Sequence, residues 1–296
     1  MKPTTRLRHL IDQPELLVMP GVFDPLSAKI AAQAGFPALQ CTGAGISATH
    51  LGLPDYSMLS MSDMVDRTGR IAAAVDVPVM GDGDTGFGNA VNTYYTVRAF
   101  ERAGAAGVNI EDQVMPKRCG HLDGKQLLDI DEAAMKIAAA ADARRDPDFV
   151  INARTDALAT GGLDEVIVRG NAYLAAGATM VFVEGIGRRE DVTAAVAGIN
   201  GPVAMNLVEG GRTPSGLTFT ALQEMGVARV SLPGAMLQAA MKAMQVVLQQ
   251  ITADGGTDGV SGMLVGLREA HTLLGMSTVT ELENHYLAPL QMTAAS

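Results

Sequence analysis

The sequence predicts an α/β fold that closes as a (β/α)8 TIM barrel with a C-terminal helical extension, and three observations lead there. Eight short apolar runs occur, rich in branched side chains and without polar alternation in their middles, as strands buried on both faces require. They alternate with segments of helical spacing, which implies parallel pairing and right-handed crossovers. Eight such repeats favour closure over an open sheet. The runs lie at 16–22 (LLVMPGV), 38–42 (ALQCT), 77–82 (VPVMGD), 107–112 (GVNIED), 149–155 (FVINART), 180–185 (MVFVEG), 203–208 (VAMNLV) and 229–233 (RVSLP). Between them, segments such as 90–104 and 164–177 carry helical spacing and end on Gly104 and Gly177. A helix–Ala-Gly–strand phrase recurs at 32–43, 100–112 and 173–185, marking short turns and not a duplicated function. With 4% aromatic residues and no Trp, the core must be filled by Ala, Val, Ile, Leu and Met, which suit close helix-on-strand layers. The barrel is expected over residues 1–252. Residues 253–296, which begin in a glycine-rich hinge at 252–259, form a helical tail expected to pack on a neighbouring subunit or to cover the barrel mouth.

Composition excludes several function classes. The 296 residues hold 32 acidic against 22 basic side chains, a formal charge of −10 that disfavours nucleic acid. No apolar stretch approaches the roughly 18 residues of a membrane span. The first fifteen residues, MKPTTRLRHLIDQPE, lack the apolar segment of a signal peptide. Two cysteines, Cys41 and Cys119, make no disulfide framework, so the chain reads as a reduced, cytoplasmic enzyme.

In a parallel barrel, chemistry gathers where strands end and βα loops begin. The second run ends in Thr42-Gly43-Ala44-Gly45, the third in Asp82-Gly83-Asp84 and the fourth in Glu111-Asp112. The fifth ends in Arg154-Thr155-Asp156, the sixth in Glu184, and the seventh in Asn206 and Glu209. Asp82 and Asp84, two apart, face one side of extended backbone. Two carboxylates that close repel, and with Glu111 nearby a hard divalent ion is the natural remedy. The alternative is one helix cap and one solvated carboxylate. Arg154 suits bidentate carboxylate recognition, or an internal ion pair with Asp156 or Glu184. In Lys117-Arg118-Cys119-Gly120-His121, a thiol beside basic groups has a stabilised thiolate. Cys41, inside an apolar strand, reads as inert. His121 either steadies this loop or contacts substrate. The segment from Asn206 through Gly210-Gly211 to Pro214 is either a phosphate-gripping loop or, through Asn206, a carboxylate contact.

At these residues the chain resembles the isocitrate lyase / phosphoenolpyruvate mutase superfamily, from about residue 16 to residue 245. The motifs are GDGDTGFGN (81–89), IEDQVMPKRCGH (110–121), ARTDA (153–157), TGAGIS (42–47) and NLVEGGRTP (206–214). It looks most like the group of carboxyphosphonoenolpyruvate phosphonomutases, 2-methylisocitrate lyases and 2,3-dimethylmalate lyases. The resemblance implies Mg2+, with Mn2+ as a substitute, on Asp82, Asp84, Asp55 and Glu111. It implies substrate contacts from Thr42, Gly43, Ala44, Asp82, Gly120, His121, Arg154, Glu184 and Asn206. Cys119, Arg154 and Glu111 are the implied catalytic residues, Cys119 as acid/base on a closing loop. It also implies a last helix exchanged between subunits of a homodimer or homotetramer. Two departures stand out. Gly83 replaces the usual Ala between the aspartates, expected only to loosen the backbone. Ser231-Leu-Pro-Gly234 replaces an aromatic-Pro-Leu sequence, which bears on substrate identity.

The expected activity is Mg2+-dependent carbon–carbon cleavage of a 2-hydroxy di- or tricarboxylate to a 2-oxo acid. The competing expectations are phosphonomutase-type P–C chemistry and oxaloacetate hydrolysis or decarboxylation. A Schiff-base aldolase needs a strand-end Lys inside the barrel; no run carries one, and Lys117 and Lys125 fall in a loop.

Overall fold

The computed structural model describes residues 1–118, 120, 124–208, 210 and 216–287. All eight strands form: β1 (Leu17–Val22), β2 (Leu39–Cys41), β3 (Val79–Asp82), β4 (Gly107–Glu111), β5 (Val150–Thr155), β6 (Met180–Val183), β7 (Val203–Asn206) and β8 (Arg229–Leu232). Each pairs in parallel with its successor, and β8 closes on β1 from Leu17–Arg229 to Pro20–Leu232. The strands end one or two residues short of several apolar runs, because Asp112, Glu184 and Leu207 leave the ladder to begin βα loops.

The helices are α1 (Pro3–Ile11), α2 (Pro25–Gln33), α3 (Gly43–Leu51), α4 (Met61–Ala73), α5 (Ala90–Arg102), α6 (Ile130–Ala143), α7 (Gly162–Ala175), α8 (Arg189–Gly198), α9 (Phe219–Glu224), α10 (Ala235–Asp254), α11 (Leu267–Leu274) and α12 (Met276–Tyr286). Helix starts follow local chemistry. Asn89, the last residue of the Gly/Asp-rich motif, accepts the N–H groups of Val91 and Asn92 and so begins α5. α1 lay in a stretch too polar to read as core. It buries Leu7 and Ile11 among residues that start strands, Leu17, Val150 and Met180, and so plugs the N-terminal end of the barrel.

Residues 1–238 and the residues from Ala239 onward form two compact units, the division falling inside α10. The expected hinge at 252–259 is partly helical: Thr252–Asp254 belong to the last turn of α10, which Gly255 ends at φ +69°, and Asp258 begins a 3-10 segment. In the second unit α11 and α12 meet at Gly275, φ +83°. No residue of α10, α11 or α12 is buried. Among the described residues no helix is long and apolar enough to cross a membrane.

Candidate active site

A cavity of about 230 Å3 opens where the strands end, lined by Thr42, Gly43, Ala44, Asp55, Asp82, Gly120, Arg154, Glu184 and Asn206, with Lys117, Gln40, Asn109 and Ser231 among them. These predicted groups thus meet although they come from the ends of β2, β3, β5, β6 and β7 and the loops that follow, whereas Asp84 and Glu111 are not among the cavity's lining residues. Helix α3 accounts for the first three. Thr42 caps it, and Gly43 and Ala44 form its first turn, so the positive end of the helix dipole meets the cavity. Gly43 N–H donates to Asp82 Oδ2 at 2.9 Å. A Cβ at position 43 would stand 2.7 Å from that oxygen, so glycine is what admits the carboxylate.

The other Asp82 oxygen accepts Asp84 N–H at 3.2 Å. Asp84 is left-handed, φ +46°, a conformation Asp tolerates better than most residues. The turn is tied to β4: Glu111 N–H donates to Asp84 O at 2.9 Å and Gly83 N–H to Asn109 O at 3.0 Å. Gly83 does more than loosen the backbone, contrary to the expectation from sequence. A Cβ there would lie 2.8 Å from Asn109 O, Ile110 Cδ1 and Val108 Cγ2, so glycine lets β4 approach.

Lys117 is a cavity residue that the sequence left in a loop. Its Nζ lies 2.7 Å from Asp55 Oδ1 and 2.9 Å from Asp84 Oδ1, and its N–H donates to Ser57 Oγ at 2.8 Å. Burial opposes its charge, but Asp84, Glu111, Asp55 and Asp82 outweigh burial and hold the ammonium well above its usual pKa. Burial lifts the Asp84 carboxyl to about 6, with Lys117 opposing and Asp82 and Asp55 assisting. Burial likewise raises Glu111 well above the usual carboxylate range, against Arg154 and Lys117.

The donor chemistry here suits a hard cation. Every candidate ligand is a carboxylate, and among the described residues the buried oxygens Glu111 Oε1 and Asp84 Oδ1 accept no hydrogen bond, the latter meeting Lys117 in an ion contact. Among the described residues no three of His, Cys, Asp or Glu stand together in a ligand group, and the position between Asp55 and Asp84 is held by Lys117.

Arg154 makes the internal ion pairs and still borders the cavity. It grips Asp156 with two bonds, 2.8 and 3.1 Å, and lies 3.3 Å from Glu111 and 3.2 Å from Glu184. Burial works against the guanidinium, yet these three carboxylates keep it well above its usual pKa. Burial would also raise Asp156, but Arg154 and Lys125 win and hold it down at about 2. Lys125 reaches Asp156 at 2.9 Å and donates to the Gly120 carbonyl. Beneath them Asp112 accepts Asp156 N–H, the Thr155 hydroxyl and the Tyr173 hydroxyl at 3.0, 2.7 and 2.8 Å. Gly120 packs so closely on Arg154 and Glu184 that a Cβ would overlap both. Asn206 donates to Glu184 Oε2 at 3.2 Å and accepts from the Ser231 hydroxyl, so the sequence departure at Ser231 borders the cavity.

Cys119, His121, Glu209 and residues 211–215 lie outside the described residues. Cys41 is buried, which pushes its thiol up to about 12. Lys117, Lys125 and Gln40 were missed. The two lysines flank the Cys-Gly-His segment of an otherwise acidic chain, and that flanking was the available signal.

Fold and cavity together define an α/β-barrel enzyme. Residues 7–252 match the phosphoenolpyruvate phosphomutase family, and the chain belongs to this family, within the phosphoenolpyruvate mutase / isocitrate lyase superfamily. It is 42% identical to the 2,3-dimethylmalate lyase of Eubacterium barkeri over 286 residues, covering 97% of this chain and 99% of that one. The structure of oxaloacetate acetylhydrolase with the inhibitor 3,3-difluorooxalacetate matches with a TM-score of 0.90 at 36% identity, covering 96% of this chain and 98% of that one. Phosphonopyruvate hydrolase in complex with oxalate and Mg2+ matches with a TM-score of 0.88 at 34% identity, covering 97% and 100%.

Proposed function

We propose that the protein is a Mg2+-dependent carbon–carbon lyase. Its substrate is a 2-hydroxy di- or tricarboxylate of the 2-methylisocitrate or 2,3-dimethylmalate type, cleaved to a 2-oxo acid such as pyruvate and a carboxylate. One observation carries this reading: a single small cavity combines anion-accepting groups, the α3 N-terminus and Arg154, with the carboxylates Asp55 and Asp82. The likeness to a 2,3-dimethylmalate lyase supports the reaction, and the Mg2+ complex of a family relative supports the metal. Asp82, Asp84 and Asp55 are the residues that would hold Mg2+ or Mn2+, in competition with Lys117 for the Asp55 and Asp84 oxygens, with Glu111 as acidic partner. When bound, such an ion lowers the pKa of a substrate hydroxyl and polarises the adjoining carboxylate.

The chain's own residues orient and balance charge. The Ala44 N–H in the first turn of α3 and the second amide hydrogen of Asn206 receive substrate carboxylates. Arg154, held in place by Asp156, offsets the negative charge that develops as the bond breaks. Cys119 donates the proton that quenches the carbanion, with Gly120 and His121 beside the substrate, as the resemblance implies. A Schiff-base route needs a neutral amine, and the carboxylates around Lys117 keep it an ammonium ion.

A second reading, hydrolysis of oxaloacetate or of a P–C bond, is favoured by the likeness to the two hydrolases. Release of 2-oxo acid from 2-methylisocitrate, 2,3-dimethylmalate and isocitrate, of oxalate and acetate from oxaloacetate, and of phosphate from phosphonopyruvate, each with and without Mg2+, separates the readings. We expect turnover of a 2-hydroxy acid that EDTA abolishes. Turnover of oxaloacetate or phosphonopyruvate alone gives the second reading the case. The tail at 253–296 packs on a neighbouring subunit in this proposal, giving a homodimer or homotetramer, a reading supported by the unburied faces of α10–α12.

A further inference from the structure

Arg229 is the bulkiest of the fully buried side chains, and neither cleavage nor metal binding gives it a task. It starts β8 inside the barrel, one inward-facing position below Ser231, which lines the cavity. Its Nη2 donates to Gln40 Oε1, its Nε lies 3.1 Å from Met19 Sδ, and its buried Nη1 has no hydrogen-bond partner among the described residues. Among the described residues no carboxylate forms an ion pair with it; the charge acting on it is that of Asp82. Burial pushes it down to about 9, which leaves it protonated at neutral pH. A buried charge without a partner is costly in most folds. This one is held by Gln40 and stacks 6.0 Å from the Phe182 ring, and both of those residues line the cavity above it. The same ring lies 5.3 Å from Arg154.

We infer that Arg229 is a positioning residue that acts through charge: a fixed cation beneath the cavity that offsets Asp82 and draws an anionic ligand in without touching it. The inference rests on the proposed reading in taking the ligand to be a small polycarboxylate. Protein walls of low dielectric screen such a field weakly, so one unit charge roughly 7 Å away changes the affinity for another by on the order of tenfold or more. A cation must act with opposite sign on the two partners of the site, strengthening anions and weakening metal ions. A merely structural role has no such sign.

The test compares full-length wild type with R229M and R229K. Mn2+ affinity is read by electron paramagnetic resonance, and oxalate affinity by calorimetry at saturating Mg2+. R229M should bind oxalate about tenfold more weakly and Mn2+ severalfold more tightly, with R229K close to wild type in both. Weakening of both affinities together, or no change in either, overturns the inference. Should R229M fail to fold, Q40E sets a carboxylate against the guanidinium and must give the same opposed pair of shifts; lacking that split, the inference falls. If wild type binds the metal and oxalate but the split is absent, only this inference fails. If wild type binds neither, the functional reading fails and takes it along.

Discussion

Asp156 has no exposed surface, yet it sets the guanidinium that borders the cavity. Its folded pKa, about 2, lies below an unfolded value near 3.9. A depressed carboxyl contributes stability above the unfolded pKa and loses it as pH falls through the folded one, so the window is roughly pH 4 down to 2. The contribution is on the order of 2 kcal/mol. Asp84, Glu111 and Asp112 are raised by burial and act with the opposite sign, so the comparison with D156N isolates the one group. Urea unfolding at pH 5, 4 and 3 should show wild type losing its advantage over D156N toward the acid end; parallel pH curves would falsify this. Lys117 gives a second case. Removing one partner of a buried ion pair costs about 3–5 kcal/mol, so K117M should melt lower than wild type and gain more from added Mg2+. Equal Mg2+ shifts in the two proteins would count against the aspartates as its site. Asp82, Arg154 and Asn206 could be read from sequence because each ends an apolar run. Lys117 could not, because its burial depends on Asp55, sixty-two residues away.

Among the elements, strands buried on both faces announce themselves by uninterrupted branched runs, so β1–β8 were legible. α1 was not, since Leu7 and Ile11 are core only because the barrel needs a plug at its N-terminal end. The junction of β3 with β4 was half legible. The aspartates on it could be read, but not the closeness of the strands, which depends on a contact between Gly83 and Asn109 that no local pattern encodes. G83A therefore tests an element-scale requirement. The added methyl meets a backbone carbonyl and two core side chains, and such overpacking costs about 1–3 kcal/mol. The expected outcome is a lowered melting temperature with weakened Mn2+ binding, because the displaced turn carries both aspartates. Gly256, where a Cβ meets nothing within 4 Å, is the control, and G256A should change neither. A G83A protein as stable and as metal-competent as G256A would return Gly83 to the role of simple loosening.

For the whole molecule, the tail raises a question of solvation. Leu248, Leu267, Leu274 and Tyr286 are all more than half exposed, at 62, 74, 56 and 64%. On α12, Met276, Val279, Leu282 and Tyr286 recur at helical spacing and lie close to one face. A monomer carrying such a patch in water would be unusual. A formal charge of −10 also opposes indiscriminate association, so any partner must match this surface specifically. A second copy of the chain satisfies both demands, since the same apolar face is then supplied twice. Light scattering on the eluted protein at micromolar concentration should give the mass of a dimer or tetramer. V279E combined with L282E, on a helix with no buried residue, should lower that mass while leaving the first unit's thermal transition within about 1 kcal/mol of its original stability, as surface substitutions do. A wild-type mass of one chain would leave the apolar face of α12 without an occupant and remove the case for a tail shared between subunits.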